Sequence, residues 1–272
     1  MPTSKEVGMT TSRLSLMTDS ALRPENGERL QVVARTAHIL RMFDAEKADL
    51  RISDVAEELR IGRTSAHRYL QSMAAEGFLH QVGDGSYRLG PLLVGLGATM
   101  LSSTRLIETA EPFLSQLAEA SGETAVLGIW TGSNAIALLC KEPPGRPVNM
   151  TVRIGSALLV DSAQGICFLT YLDDEATTAR ALRTDDRKRD SVLAGINETR
   201  KRGYSFSGTV VPGVGAIAAA VFGSTGSIVA TVAIVAALET LHGPRLDVMA
   251  QSMRATAAAV SRQLGFTGRE TA

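Results

Sequence analysis

The segment from Arg63 to Glu76 carries side chains whose types and spacing suit contact with a nucleic acid. Between Arg60 and Ala75 there is no acidic residue, whereas arginine occurs three times. Arginine binds phosphates and guanine edges, glutamine pairs with adenine, and hydroxyl groups bind phosphate oxygens. The candidate DNA contacts are Arg63, Thr64, Ser65, His67, Arg68 and Gln71. This surface predicts docking in the DNA major groove; an ordinary solvated helix face is the alternative.

The surrounding elements have the pattern of a winged helix-turn-helix. Apolar residues within the segment recur at helical spacing, one helix is predicted from Leu30, and another after Ser53, which is a favourable N-cap. Two short strand-like runs flank a turn at 83–85, and this arrangement signals a hairpin. On that hairpin, Tyr87 and Arg88 are predicted to contact the DNA backbone or minor groove.

The charge balance restricts how the chain grips DNA. Lys and Arg total 28 and Asp and Glu total 28, so the formal net charge is zero. A bulk electrostatic attraction to nucleic acid is therefore excluded, and a DNA-binding surface must be a local basic patch. Two cysteines and four scattered histidines exclude a disulfide scaffold and give no ligand spacing for a metal. We predict neither a metal site nor a cofactor.

After Gly90-Pro91 the pattern changes to mixed α and β. Strands are predicted at Thr124–Trp130 and Ala135–Lys141, and the run Val148–Ile154 alternates like a further strand. The longest apolar run, 228–238, has 11 residues, short of the roughly 20 that a membrane span needs. The first 28 residues lack the apolar core of a secretory signal, so we expect a cytoplasmic protein.

No motif in the sequence indicates enzyme activity. The chain has no Gly-x-Ser-x-Gly, no phosphate loop and no Gly-rich nucleotide fingerprint. Cys167 has only apolar neighbours and no histidine nearby in sequence, so a buried structural thiol is favoured over a nucleophile. We therefore predict that the protein is not an enzyme.

Several short segments together resemble the IclR-type transcriptional regulators. The resemblance covers about residues 30–266, and its helix-turn-helix part is specific because the Tyr-Arg-Leu-Gly wing end follows at the family's distance. The matching segments are Ala34-Arg35-Thr36-Ala37-His38-Ile39-Leu40, Ile52-Ser53-Asp54-Val55-Ala56, Arg63-Thr64-Ser65-Ala66-His67-Arg68-Tyr69-Leu70, Glu76-Gly77-Phe78-Leu79, Tyr87-Arg88-Leu89-Gly90, Gly122-Glu123-Thr124 and Thr199-Arg200-Lys201-Arg202-Gly203-Tyr204-Ser205-Phe206.

The resemblance implies an α+β protein with a defined order of parts. These are a disordered arm at 1–28, a winged helix-turn-helix DNA-binding domain at 29–90, a linker helix at 91–103, a GAF-like α/β effector-binding domain at 104–268 and a tail at 269–272. It also implies a homodimer or homotetramer that binds double-stranded operator DNA and a small-molecule effector, often to control a catabolic operon. Arg35 would support the docking surface or be a plain surface arginine, and His67 would donate to a phosphate or be packed.

The family's effector pocket maps onto positions of the second half. They are Ser162, Ala163, Gln164, Ser207, Ala216, Ala233 and Val235. Where the family often has histidine and a Gly-Lys-Ala run, this chain has Val160 and Gly165-Ile166-Cys167, and it lacks the family's acids after Phe206. Such a pocket solvates a carboxylate poorly, so we predict an uncharged, apolar or aromatic effector.

Three functional readings remain open at this stage. The first is a DNA-binding regulator that responds to an effector. The second is a DNA-bound protein whose C-terminal domain serves only for oligomerisation, with the seven positions as ordinary core. The third is an enzyme with an accessory winged helix, which lacks a supporting motif.

Overall fold

The computed structural model describes residues 30–43, 47–83, 85–146, 149–182 and 186–268, excluding the side chains of 101–104, 180 and 186–188. The predicted arm at 1–28 and tail at 269–272 lie outside these ranges. The fold is mixed α+β, as predicted: a helical N-terminal part carries a two-stranded hairpin, and a second part is built on a six-stranded sheet.

The N-terminal part is three helices followed by an antiparallel hairpin. Its elements are α1 (Gln31–Arg41), α2 (Ile52–Glu58), α3 (Arg63–Ala75), β1 (Leu79–Gln81) and β2 (Tyr87–Leu89). One buried cluster joins them, formed by Ile39, Leu50, Val55, Ala66, Leu70, Met73, Leu79 and Tyr87. Since every element contributes to this one core, the helices and the hairpin hold one another in a winged helix-turn-helix.

The start of helix α2 departs from the sequence expectation in one detail. Helix α2 begins at Ile52 rather than after Ser53, and the Asp54 side chain accepts a hydrogen bond from the Arg51 amide at 2.9 Å. Asp54 thus satisfies an amide that the helix leaves unpaired, which replaces the predicted Ser53 cap. Arg60 lies in the left-handed region with φ of 50°, a conformation that costs a non-glycine residue about 1 kcal/mol.

Two helices connect the hairpin to the sheet. Helix α4 (Pro91–Thr104) carries proline in its first turn, and α5 (Leu106–Ser121) follows after the single residue Arg105. Arg105 has φ of 47° and separates the two helices. Helix α5 ends at Gly122, whose φ of 67° suits glycine at a helix C-terminus.

The sheet is antiparallel with strand order β5-β4-β3-β8-β7-β6. Its strands are β3 (Thr124–Trp130), β4 (Ala135–Lys141), β5 (Ala157–Leu158), β6 (Ser205–Ser207), β7 (Val214–Phe222) and β8 (Ile228–Ala237). The predicted β3 and β4 are confirmed. The strand predicted at Val148–Ile154 was wrong, since residues 149–153 form no regular element and this segment first pairs with β4 at 155–158, around β5.

Helices cover both faces of the sheet. Helices α5 and α9 (Gly243–Gln263) pack on one face, and α6 (Ala163–Tyr171) packs on the other with α8 (Asp186–Arg202) behind it. Helix α7 (Glu175–Leu182) packs on α8. In the part of the chain that the structure describes, no helix combines the length and apolar character that a membrane span requires.

Candidate nucleic-acid interface and effector site

Helix α3 buries one face and leaves the predicted contact residues outside. Ala66, Leu70 and Met73 recur at helical spacing and are buried in the N-terminal core. Tyr69 and Ala74 pack against the same core, and the predicted contact residues lie outside it. Arg63, Thr64, Ser65, Arg68 and Gln71 are exposed and His67 is half-buried. All six predicted α3 residues are thus accessible to solvent, His67 only in part.

The electrostatics of this side favour a polyanion. Helix α3 has no acidic residue in its first turn, and its N-cap residue Gly62 gives no side-chain hydrogen bond to the first amides. Those amides and the helix dipole leave a partial positive charge at the helix start. Within the described residues, no salt bridge engages the guanidinium groups of Arg63 or Arg68. Their charges therefore add to that of the helix start.

Arg35 of helix α1 stabilises the position of α3 through a contact with Tyr69. Its Nη1 donates to the Tyr69 hydroxyl at 3.4 Å, and its guanidinium carbon lies 5.9 Å from the centroid of the Tyr69 ring. A cation above an aromatic face is attracted to the ring's negative quadrupole. Arg35 therefore ties α1 to α3, in line with the supporting role that the resemblance implied.

The wing requires a correction. Tyr87 was predicted to contact DNA, but its side chain is 1% exposed and belongs to the N-terminal core. Its backbone exchanges hydrogen bonds with Leu50, which fixes the ring inward. Arg88 alternates to the opposite face and is exposed there. Its Nε and Nη2 donate to the two carboxylate oxygens of Asp49, at 2.6 and 3.1 Å, so part of its charge is already neutralised.

Helix α6 occupies the centre of the second candidate site. Its residues Ala163–Thr170 are all buried because the sheet lies on one side and α8 on the other. Ala163 and Ala233 belong to one packed cluster. Gln164 Nε2 donates to Thr231 Oγ1 at 3.0 Å, and a Cβ at Gly128 would meet that nitrogen at 2.6 Å. The predicted positions Ala163, Gln164 and Ala233 therefore lie in the packed interface between α6 and the sheet.

Other predicted positions form a row beyond the start of α6. Strand register pairs Thr124 with Val235, Val235 with Ala216 and Ala216 with Ser207, and directly paired residues share a sheet face. Neighbouring strands lie about 4.8 Å apart, so the three steps across these four strands span about 14 Å. Val235 and Ala216 remain partly exposed although their strands are central in the sheet. We call these four residues the open row; Thr124 is its member that the sequence analysis missed.

The segment between β4 and α6 covers both ends of the open row. Thr124 Oγ1 donates to the Met150 carbonyl, and Ser207 Oγ donates to the Asp161 carbonyl at 2.8 Å. Ser162 caps α6 by accepting a hydrogen bond from the Gly165 amide at 3.1 Å. The segment is thereby bonded to both ends of the row, and Ser162 follows directly after the bonded residue Asp161.

A buried carboxylate anchors the same segment from outside. Glu123 binds Arg146 of the segment at 3.2 Å and Arg245 of α9 at 2.8 Å. Both arginines contribute their charge to this one carboxylate. The two guanidinium groups exceed the single carboxylate by one positive charge.

Cys167 is the buried structural thiol that the sequence favoured. It is fully buried, and burial raises the pKa of the thiol from 9.0 to about 12, against a smaller lowering by the hydrogen bond with Ser205. A thiol that stays protonated is a poor nucleophile. Among the described residues, no group of three or more His, Cys, Asp and Glu side chains is arranged to hold a metal ion.

Two family models match the chain in the order of its two parts. The IclR helix-turn-helix domain matches residues 32–83, and the model described as bacterial transcriptional regulator IclR C-terminal matches residues 98–262. A curated relative, the glycerol operon regulatory protein of Streptomyces coelicolor, is 30% identical over 87% of this chain and 97% of its own.

Solved structures show the same fold. A putative IclR transcriptional regulator from Silicibacter sp. TM1040 superposes with a TM-score of 0.78 at 20% identity, covering 88% of this chain and 98% of its own. An IclR homologue from Microbacterium hydrocarbonoxydans, solved with 4-hydroxybenzoate, gives 0.64 at 19% identity, covering 86% and 98%. With its helix-turn-helix and its sheet domain both matched, the chain belongs to the IclR family of DNA-binding transcriptional regulators.

Proposed function

We propose that the protein is an effector-responsive regulator that binds operator DNA through α3. The observation that supports this proposal most directly is that the exposed surface of α3 has no acidic residue, although the net charge of the whole chain is zero. Arg63, Arg68 and Gln71 are the proposed contacts with base edges and phosphates, with Thr64, Ser65 and His67 beside them. Arg88 contributes from the wing once DNA competes with Asp49 for its guanidinium.

The open row, together with Ser162, is the proposed effector site. Its floor is formed by small or apolar side chains and hydroxyl groups whose hydrogen bonds are already directed at the covering segment. None of the five side chains of the proposed site is cationic, so an anionic effector would lack a counter-ion among them. These contacts support an uncharged, apolar or aromatic effector. The homologue solved with 4-hydroxybenzoate supports the aromatic class, although that ligand carries a carboxylate and does not support the uncharged one.

A homodimer is the proposed assembly, with a second copy covering α4. This helix has no charged residue, and Val94, Leu96 and Met100 are 74%, 55% and 54% exposed. Val32 and Val33 of α1 are exposed as well. A patch of this kind on a soluble protein marks an interface, and a two-fold dimer places two recognition helices on a palindromic operator.

We propose the functional division 29–90, 91–103 and 104–268 for DNA binding, linkage and effector binding. An effector that prefers one arrangement of the dimer shifts the distance between the two α3 helices. An effector that binds both arrangements equally shifts nothing. Control of a catabolic operon is the proposed role, supported by the glycerol operon regulator among the relatives.

The test is selection of bound duplexes from random DNA by the purified full chain, followed by footprinting with and without a panel of neutral aromatic compounds and benzoate. We expect a palindromic site whose footprint changes with a neutral aromatic compound. A footprint that no compound alters favours the oligomerisation-only reading. Failure to enrich any sequence contradicts the regulator itself.

A further inference from the structure

A cavity at the C-terminal end of helix α6 is separate from the proposed effector site. It has a volume of about 730 Å³ and lies between the end of α6, helix α7 and helix α8. This volume is in the range of small-molecule sites in proteins. Helix α6 has 9 residues, so at 1.5 Å per residue its cavity end lies about 14 Å from its start at Ser162.

The cavity has an apolar wall with one carboxylate at its end. Leu169 and Leu172 line it from the end of α6. The residues of α7 that line it recur at helical spacing and therefore share one side of that helix: Glu175, Thr178, Ala179 and Leu182. The wall can pack against an apolar group of a ligand, and Glu175 projects from the same side of α7.

Tyr171 and Arg200 bring a hydroxyl group and a positive charge to this cavity. Helices α6 and α8 pack closely, since a Cβ at Gly195 would lie 3.0 Å from Ile166 Cδ1, and Tyr171 and Arg200 lie further along the same two helices. Burial raises the pKa of Tyr171 above its ordinary value of 10.0, against a smaller lowering by the charges of Arg254 and Arg200. The Tyr171 hydroxyl is therefore protonated at neutral pH and can donate a hydrogen bond.

These polar groups can be reached by a ligand and are not used by the fold. Among the described residues, the Tyr171 hydroxyl has no hydrogen-bond partner, and it is not one of the atoms closed off from water. Arg200 and Glu175 are exposed, and neither forms a salt bridge within the described part of the chain. Opposite charges thus line one cavity without bonding to each other.

The other charged residues of the lining leave this pair in balance. Arg189 and Asp173 add one charge of each sign. The Asp174 carboxylate accepts a hydrogen bond from the Thr177 amide at 2.9 Å and so serves the start of α7. A purely anionic ligand would meet the acidic residues, and a purely cationic one would meet the arginines. A molecule that carries both charges finds a partner for each.

We propose that this cavity binds an α-amino acid with an apolar side chain. The ligand carboxylate accepts hydrogen bonds from Arg200 and Tyr171, the ammonium group donates to Glu175, and the side chain packs against Leu169, Leu172 and Leu182. The two charges of an α-amino acid are joined through one carbon, so the molecule bridges two protein groups that do not bond directly. The inference does not depend on the proposed effector site, which lies at the other end of α6.

The experiment is calorimetric titration of the full chain with two amino acids and with their analogues that lack one charge. The probes are L-leucine, 4-methylpentanoate and 3-methylbutylamine, and L-phenylalanine, 3-phenylpropanoate and 2-phenylethylamine. We expect at least one amino acid to bind at least 10-fold more tightly than either of its analogues, since each lost contact is a hydrogen bond to a charged group. Arg200→Gln and, separately, Glu175→Gln should each weaken that binding about 10-fold.

Matched controls remove charges of the same sign outside the cavity. Lys201→Ala, next to Arg200 on α8, and Glu119→Gln, at an exposed position of α5, should leave the affinity unchanged. Thermal unfolding of each variant verifies the fold, and the Arg200 and Glu175 variants test the site independently of one another. The inference is overturned if neither amino acid binds, if an analogue lacking one charge binds equally well, or if both cavity variants bind like the controls.

Discussion

Replacing Arg63 and Arg68 together by alanine removes the two cations on the exposed side of α3. Both side chains point away from the core that holds the helix, so the double variant should keep the fold. Neither guanidinium has a salt-bridge partner among the described residues, so the substitution leaves no carboxylate there unpaired. The loss of operator affinity then reports contacts with DNA.

The expected loss of operator affinity follows from the removal of two charged contacts per protomer. A hydrogen bond to a charged group contributes about 1.5 kcal/mol at the low end, so losing two weakens binding by about 3 kcal/mol per protomer, roughly 100-fold, and by about 6 kcal/mol for a dimer, roughly 10⁴-fold. Each phosphate contact adds about 0.9 to the slope of log affinity against log salt concentration. If both arginines bind phosphates, the slope falls by about 2 per protomer and about 4 for a dimer.

Fluorescence anisotropy of a labelled operator duplex, titrated at several potassium chloride concentrations, measures affinity and slope together. The charge-matched control is Lys201→Ala with Arg202→Ala, which removes two exposed cations from α8 in the other domain. A variant with lysine at both α3 positions separates the modes of contact. Lysine keeps the slope of a phosphate contact but loses the bidentate geometry that reads guanine.

An affinity and a slope within error of the control would refute the assignment of α3 as the recognition helix. A loss of affinity of the expected size at unchanged slope would instead mean that both arginines bind base edges. The thermal unfolding of the same variant is measured as well. It should match that of the wild type, which shows that the loss of affinity does not come from unfolding.

Three further expectations concern single residues. Tyr87→Phe removes a buried hydroxyl without a hydrogen-bond partner among the described residues, so the free energy of unfolding should rise by about 1 kcal/mol in urea titrations while operator affinity stays constant; a loss of stability would contradict this. Arg60→Gly relieves a positive φ and should raise the free energy of unfolding by about 0.5 kcal/mol, where a decrease would argue against the left-handed turn. The pKa of Cys167 is about 12 in the folded protein against 9.0 in the ordinary thiol, so its contribution to stability is complete below pH 9 and declines as the pH rises towards 12; Cys167→Ala should flatten that decline in chemical denaturation.

The exposed side of α3 was predictable because its inward residues recur at the helical period, and the outward set follows once they are fixed. The two-residue alternation of β2 was equally visible, yet which of Tyr87 and Arg88 turns inward depends on pairing with Leu50, far away in sequence. The open row depends on the register of four strands, and Thr124 is not adjacent in sequence to any other member. Sequence periodicity thus predicts which residues share one face of a helix or strand. Strand register and pairing between distant segments decide which of those faces come together in the fold.

The open row and the linker helix are joined by one rigid element. Thr124, the first member of the row, follows Glu123 and the end of α5, and α5 begins directly after Arg105 at the end of α4. Helix α5 has 16 residues, so at 1.5 Å per residue it extends about 24 Å. It packs on β3, β4 and α9, which prevents it from bending independently of the sheet. Helix α5 therefore moves with the sheet as one body, and the effector response proposed above requires that a displacement of this body reach Arg105, where the chain changes direction into α4.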